Sequence, residues 1–106
     1  MRIHELKCWP EFFQEIWIDK KKFEIRKNDR DYAVGDYLVQ REYEIDKGYT
    51  GRVLVMSVPY LLDNPDFVKD GFVVMSIDEV AGWTKVVNFE KGMKRFFGQQ
   101  WENDRG

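Results

Sequence analysis

The feature that most restricts this chain is a strict alternation in its first third. Lys22-Phe23-Glu24-Ile25-Arg26 sets charged and apolar side chains at every second position. A two-residue period belongs to an extended strand, whose successive side chains leave on opposite faces. Phe23 and Ile25 must therefore share one face, and Glu24 and Arg26 the other. A half-buried strand of this pattern is expected to turn Phe23 and Ile25 to the core and the charged pair outward. Arg26 carries a planar donor fork and Glu24 two acceptor oxygens, so the pair can hold each other or grip a polar ligand.

The surrounding chain supplies short elements to pack with this strand. Arg2 to Lys7 reads as a first strand, ended by Trp9-Pro10. Pro10 suits the first turn of a helix, where its missing N–H costs nothing. Phe12, Phe13, Ile16 and Trp17 follow at helical spacing, predicting a helix over about 10–19 that buries this aromatic stripe. The alternating strand occupies about 22–27, and Asn28-Asp29-Arg30-Asp31 is a polar loop suited to carrying binding groups. Val34-Gly35-Asp36 turns into a strand from Tyr37 to Tyr43. Asp46-Lys47-Gly48 reads as a hairpin loop, and a return strand from Gly51 to Leu61 is interrupted by Pro59. After a polar loop from Asp63 to Gly71, Phe72 to Ile77 is a continuous apolar run of central-strand type.

Farther on, Phe89, Met93, Phe96, Phe97 and Trp101 fall on one helical face. A helix over about 88–100 is expected, with Asn88 as N-cap and Gly92 costing about 1 kcal/mol relative to alanine. It would pack on its own chain or on a second copy, the latter giving a homodimer through the C-terminal segment. Glu102 to Gly106 are expected to fray. Several short strands with a helix at each end give an α+β architecture. The 106 residues form one domain, with 78–106 as a C-terminal extension packing on it.

Composition narrows the classes of function. Hydrophobic residues are 43% and aromatics 16% of the chain, which rules against disorder over most of its length. No apolar run approaches the roughly 20 residues of a membrane span, and the charged start at Glu5 and Lys7 does not read as a signal peptide. The single cysteine, Cys8, allows no internal disulfide and fits a cytoplasmic protein. One histidine, His4, and one cysteine are too few for a structural zinc site, so no metal is expected. Cys8 reads as a small buried hydrophobe. With no phosphate-cradling glycine loop and no nucleophile elbow, no cofactor is expected either. The net charge is −2, but residues 19–31 hold six Lys or Arg against four acids, a local +2 on a body of −4. A small anionic ligand or one short strand fits this balance better than long duplex DNA.

Lys21-x-x-Glu24-x-Arg26, within the longer string Phe23 to Arg30, resembles the signature of ASCH domains, a branch of the PUA-like fold. His4-Glu5-Leu6-Lys7, Trp9-Pro10-Glu11 and Val34-Gly35-Asp36 extend the resemblance to short bacterial and phage ASCH/PUA-like proteins of unknown function, over about residues 3 to 77. It implies a small mixed β-barrel with the first helix beside a cleft, and a groove that binds RNA or a nucleotide. Some ASCH relatives are amidohydrolases acting on N4-acetylcytidine through a Lys, Thr and Glu set. Lys21 matches the lysine, Glu24 falls where the threonine belongs, and the third position aligns loosely with Asp63 to Asp70. A carboxylate does not replace a hydroxyl nucleophile, so the chain departs from that catalytic pattern.

Each candidate has a bland role beside the functional one. Lys21, Glu24 and Arg26 could be a surface ion pair worth about 0–1 kcal/mol, or the grip of a nucleotide cleft. Trp9 could be a core residue or a platform on which a base stacks. Asn28 can close its own turn, and Arg30 can brace the loop; otherwise both lie next in line for a base edge or phosphate. The leading expectation is an RNA- or nucleotide-binding module using Trp9, Lys21, Glu24, Arg26, Asn28 and Arg30. The alternatives are an amidohydrolase on an acylated nucleoside, with Lys21 and Glu24 as its candidates for catalysis, and a protein-interaction module using the aromatic C-terminal segment.

Overall fold

A computed structural model of the chain describes residues 1–80, 84–99 and 101. The elements are β1 (Ile3–Cys8), α1 (Pro10–Trp17), β2 (Phe23–Lys27), β3 (Tyr37–Glu44), β4 (Gly48–Ser57), β5 (Leu61–Leu62), β6 (Phe72–Ser76), β7 (Asp78–Glu79), β8 (Lys85–Val86) and α2 (Phe89–Phe97). The α+β expectation holds: two helices flank a molecule that is mostly sheet. The expected barrel does not form. β1, β3 and β4 make the body of one sheet, with β1 parallel to β3 and β7 and β8 both added to the far edge of β4. β2, β6 and β5 make a second, antiparallel sheet. Among the described residues no ladder joins β1 to β2, so the two sheets stay open along that seam.

Alternation along β3 and β4 builds two cores at once. Leu38, Leu54 and Met56 point to one face of the large sheet, where they meet Phe13 and Ile16 of α1 and Val73 and Met75 of β6. Val39, Val53 and Val55 point to the other, where they meet Phe89, Met93 and Trp101. Strands buried on both faces read as continuous apolar runs, as Val53-Leu54-Val55-Met56 does. The C-terminal segment therefore packs on its own chain. β7 and β8, each of two residues, carry too little pattern to be visible in the sequence. The expected fraying of residues 102–106 falls outside the described residues.

The polar anchors of the fold are local. Asn88 caps α2 as expected, its side-chain oxygen accepting from the Lys91 N–H. His4 and Asp36, both buried, bond at 2.8 Å, tying the turn before β3 to β1. Asp36 also accepts from the Arg2 and Ala33 N–H groups, each at 3.0 Å. Burial pushes the Asp36 carboxyl up, but the bonds from His4, Arg2 and Ala33 outweigh it and hold its pKa below the usual 3.8. A depressed folded-state pKa contributes stability that is present above the unfolded value and lost as pH falls below it. Between about pH 5 and pH 2, urea midpoints of the wild type should fall more steeply than those of Asp36→Asn, which should be less stable at neutral pH by about 1–3 kcal/mol.

Gly92 has a different reason from the one its helix propensity suggests. A Cβ at this position would lie 2.3 Å from Val86 Cγ1. Propensity alone says that alanine should stabilise α2 by about 1 kcal/mol. The contact reverses the sign, because a branched valine is stiff at χ1. Gly92→Ala should destabilise by about 1–3 kcal/mol in urea denaturation, and Gly92→Ala with Val86→Ala should recover part of it.

Candidate functional site

A cleft of about 430 Å3 opens at the β1–β2 seam, under the start of α1. Its lining includes Lys7 and Cys8 from the end of β1, Trp9 at the N-cap of α1, Phe12 from α1, and Lys21 with the first residues of β2. The helix end delivers Lys21. Asp19 adopts a left-handed φ of 65°, and the Lys20 and Lys21 N–H groups both bond back to Glu15 O at 2.9 Å. This folds the chain sharply from α1 into β2.

At the floor lies Glu24, only 3% exposed. Lys21 Nζ donates to Glu24 Oε1 at 2.6 Å, and Arg26 Nε donates to Glu24 Oε2 at 3.0 Å. Lys21 also donates to Phe23 O at 2.9 Å. Arg26 reaches across the seam and donates to Lys7 O at 3.1 Å, with the fully buried Gln40 side-chain oxygen 3.5 Å away. This corrects the expected orientation of β2. Phe23 and Ile25 are 47% and 56% exposed, while Glu24 and Arg26 point inward. The two-residue period holds, and the buried face is the charged one. The reason is that Lys21, Lys7 O and Gln40 satisfy the charged pair where the core would otherwise reject it.

The remaining expected residues divide. Trp9 is 43% exposed on the cleft wall, so it is not a core residue. Asn28 closes its own loop, its Oδ1 accepting from the Tyr32 N–H at 3.2 Å. Arg30 donates to Glu5 O at 2.7 Å and lines a separate cavity of about 320 Å3 with Arg2, His4 and Asp29. The structure thus brings Trp9, Lys21, Glu24 and Arg26 together and does not bring Asn28 or Arg30 to this cleft. It adds Phe12, which is 46% exposed instead of joining the buried stripe of Phe13 and Ile16. It adds Lys7, whose ammonium sits 4.4 Å over the Tyr43 ring.

Among these lining residues three cations, Lys7, Lys21 and Arg26, face one acid, Glu24, a local sum of +2. Exposed rings of Trp9, Phe12 and Phe23 stand around them. Among the described residues no group of three His, Cys, Asp or Glu could hold a metal ion. Cys8 touches the floor as a closed thiol. Burial, then the charge of Glu24, pushes its pKa up to about 12 against lowering by Arg26 and Lys21.

Residues 3–77 match the family described as Domain of unknown function (DUF3850). The chain belongs to the DUF3850 family. It is also 33% identical over 69 residues to an uncharacterized 12.9 kDa protein in the GpA 3' region of Escherichia phage P2, covering 65% of this chain and 62% of the phage protein. The match therefore spans less than two thirds of that relative's length. The DUF3850 region runs from β1 through β6 and contains every residue named on the cleft; β7, β8 and α2 lie beyond it. No helix among the described residues is long and apolar enough to cross a membrane.

The state of Cys8 is checked directly. At about pH 8 a thiol with a pKa about three units above the ordinary value has roughly a thousandth of the thiolate. Iodoacetamide labelling of Cys8 should be slower than that of free cysteine by about that factor, and should reach the normal rate in denaturant.

Proposed function

We propose that this protein is a small cytoplasmic binding module of the ASCH/PUA-like type, and that its cleft takes a nucleotide or one unit of single-stranded RNA. The observation that carries the reading is a cleft that is cationic and aromatic together. Glu24 holds Lys21 and Arg26 in fixed positions, and they with Lys7 supply donors for a phosphate or sugar. Trp9, Phe12 and Phe23 supply flat apolar surface, on which a base stacks with about 1–3 kcal/mol. A site of one cleft and net +2 suits a mononucleotide better than a duplex, which would reward a long row of phosphate contacts.

The hydrolase reading gains nothing from this geometry. Each Glu24 oxygen already accepts a hydrogen bond from a cation. To take a proton from water it would have to share or break one of them. Lys21 is a donor to two acceptors in the same arrangement.

Titration of the chain with ribonucleoside monophosphates and short single-stranded RNAs, followed by tryptophan fluorescence and calorimetry, tests the proposal. Arg26→Ala should weaken binding by about 10–100-fold and Trp9→Ala by about 5–100-fold, with a visible salt dependence. Wild type that binds none of these ligands at millimolar concentration, or binds them no better than Arg26→Ala, would remove the proposal.

A further inference from the structure

Ile25 offers the cleft more than a side chain. Main-chain N–H and C=O groups leave an extended strand alternately to its two sides. The Ile77 N–H donates to Lys22 O at 3.1 Å, and the Asn28 N–H donates to Gly71 O at 2.9 Å. The even-numbered residues of this stretch therefore face β6, and Phe23, Ile25 and Lys27 turn their main-chain groups to the open side. Two of those three carbonyls are taken by the chain itself. Phe23 O accepts from Lys21 Nζ, and Lys27 O accepts from the Asp29 N–H, each at 2.9 Å. The Ile25 N–H and C=O have no partner among the described residues, and Ile25 lines the cleft.

We propose that the main-chain N–H and C=O of Ile25 read the pairing edge of a nucleobase lodged in the cleft. The inference rests on the nucleotide reading above. The chemistry is complementary, because the Watson–Crick edge of a base sets a donor beside an acceptor, as N3–H beside O4 in uracil or the 6-amino group beside N1 in adenine. A base held there has the Trp9, Phe12 and Phe23 rings nearby for stacking, and Lys7, Lys21 and Arg26 for its phosphate. An added peptide strand fits less well. Strand addition uses main-chain groups at every second residue along an edge. Here the carbonyls on either side of Ile25 are closed, so of the three residues only Ile25 offers a donor beside an acceptor, the width of one base.

The test uses the full chain, with uridine and adenosine monophosphates as probes. In the free protein the Ile25 amide should exchange rapidly; saturating nucleotide should slow it at least about tenfold. N3-methyluridine and N1-methyladenosine monophosphates, whose pairing edges are blocked, should bind roughly tenfold more weakly than their parents. Ile25→Pro deletes an N–H that points away from β6, at an edge position where proline is tolerated, and should lose about tenfold in affinity or more. Ile25→Ala shortens a cleft-lining side chain but keeps both main-chain groups, so it should lose less affinity than Ile25→Pro. If wild type binds nucleotide while the Ile25 amide stays unprotected and the methylated probes bind like their parents, the inference is overturned and the binding module stands. If wild type binds no nucleotide, both fall. Protection of Ile25 by an extended peptide in place of a nucleotide would also overturn it, and would assign the edge to a strand partner.

Discussion

The guanidinium of Arg26 holds the cleft side of this molecule together. It leaves β2, meets Glu24 at 3.0 Å and ends on the Lys7 carbonyl of β1 at 3.1 Å. Among the described residues the two sheets share no ladder at this seam, and the Arg26 side chain bridges it. A fork can do this where an ammonium cannot, because it makes several bonds in fixed directions at once. The same bonds fix the place of Glu24, and through it Lys21. The cleft is thus the open seam between the two sheets, braced by charge instead of main-chain pairing.

The large sheet explains how a modest chain supports such a gap. β3 and β4 carry apolar side chains on both faces, so the helix at each end and the small sheet all pack on the same two strands. The anchor between His4 and Asp36 then fixes the turn into β3 relative to β1, the strand that carries Lys7 and Cys8 to the cleft. Rigid strands beneath a polar site keep donors in place without the cost of ordering them when a ligand arrives.

Much of this arrangement was legible in the sequence, and the parts that were not have one cause. The period of Lys22 to Arg26 gave a strand and sorted its side chains correctly into pairs. It could not say which pair is buried, because the acceptors that receive Arg26 inside, Lys7 O and the Gln40 side-chain oxygen, are distant in sequence. Likewise Phe12 and Phe13 both match a helical stripe, and the packing of α1 on β3, β4 and β6 decides that Phe13 is enclosed while Phe12 borders the cleft. Arg30 follows Arg26 by four residues but is turned into another cavity by the loop that Asn28 closes. Gly92 read as a weakness of its helix, since Val86 does not neighbour it in the chain. Local patterns carried the elements; contacts between distant residues set their orientation.

The open edge of β1 has a consequence beyond ligand chemistry. Its outward carbonyls at Glu5 and Lys7 are covered by Arg30 and Arg26, at 2.7 and 3.1 Å. Bare strand edges recruit other strands, and natural proteins blunt them with charge. These two arginines therefore act as stoppers against edge-to-edge polymerisation. A substitution that strips them uncovers a templating surface along β1, on which the strand of a second copy can add.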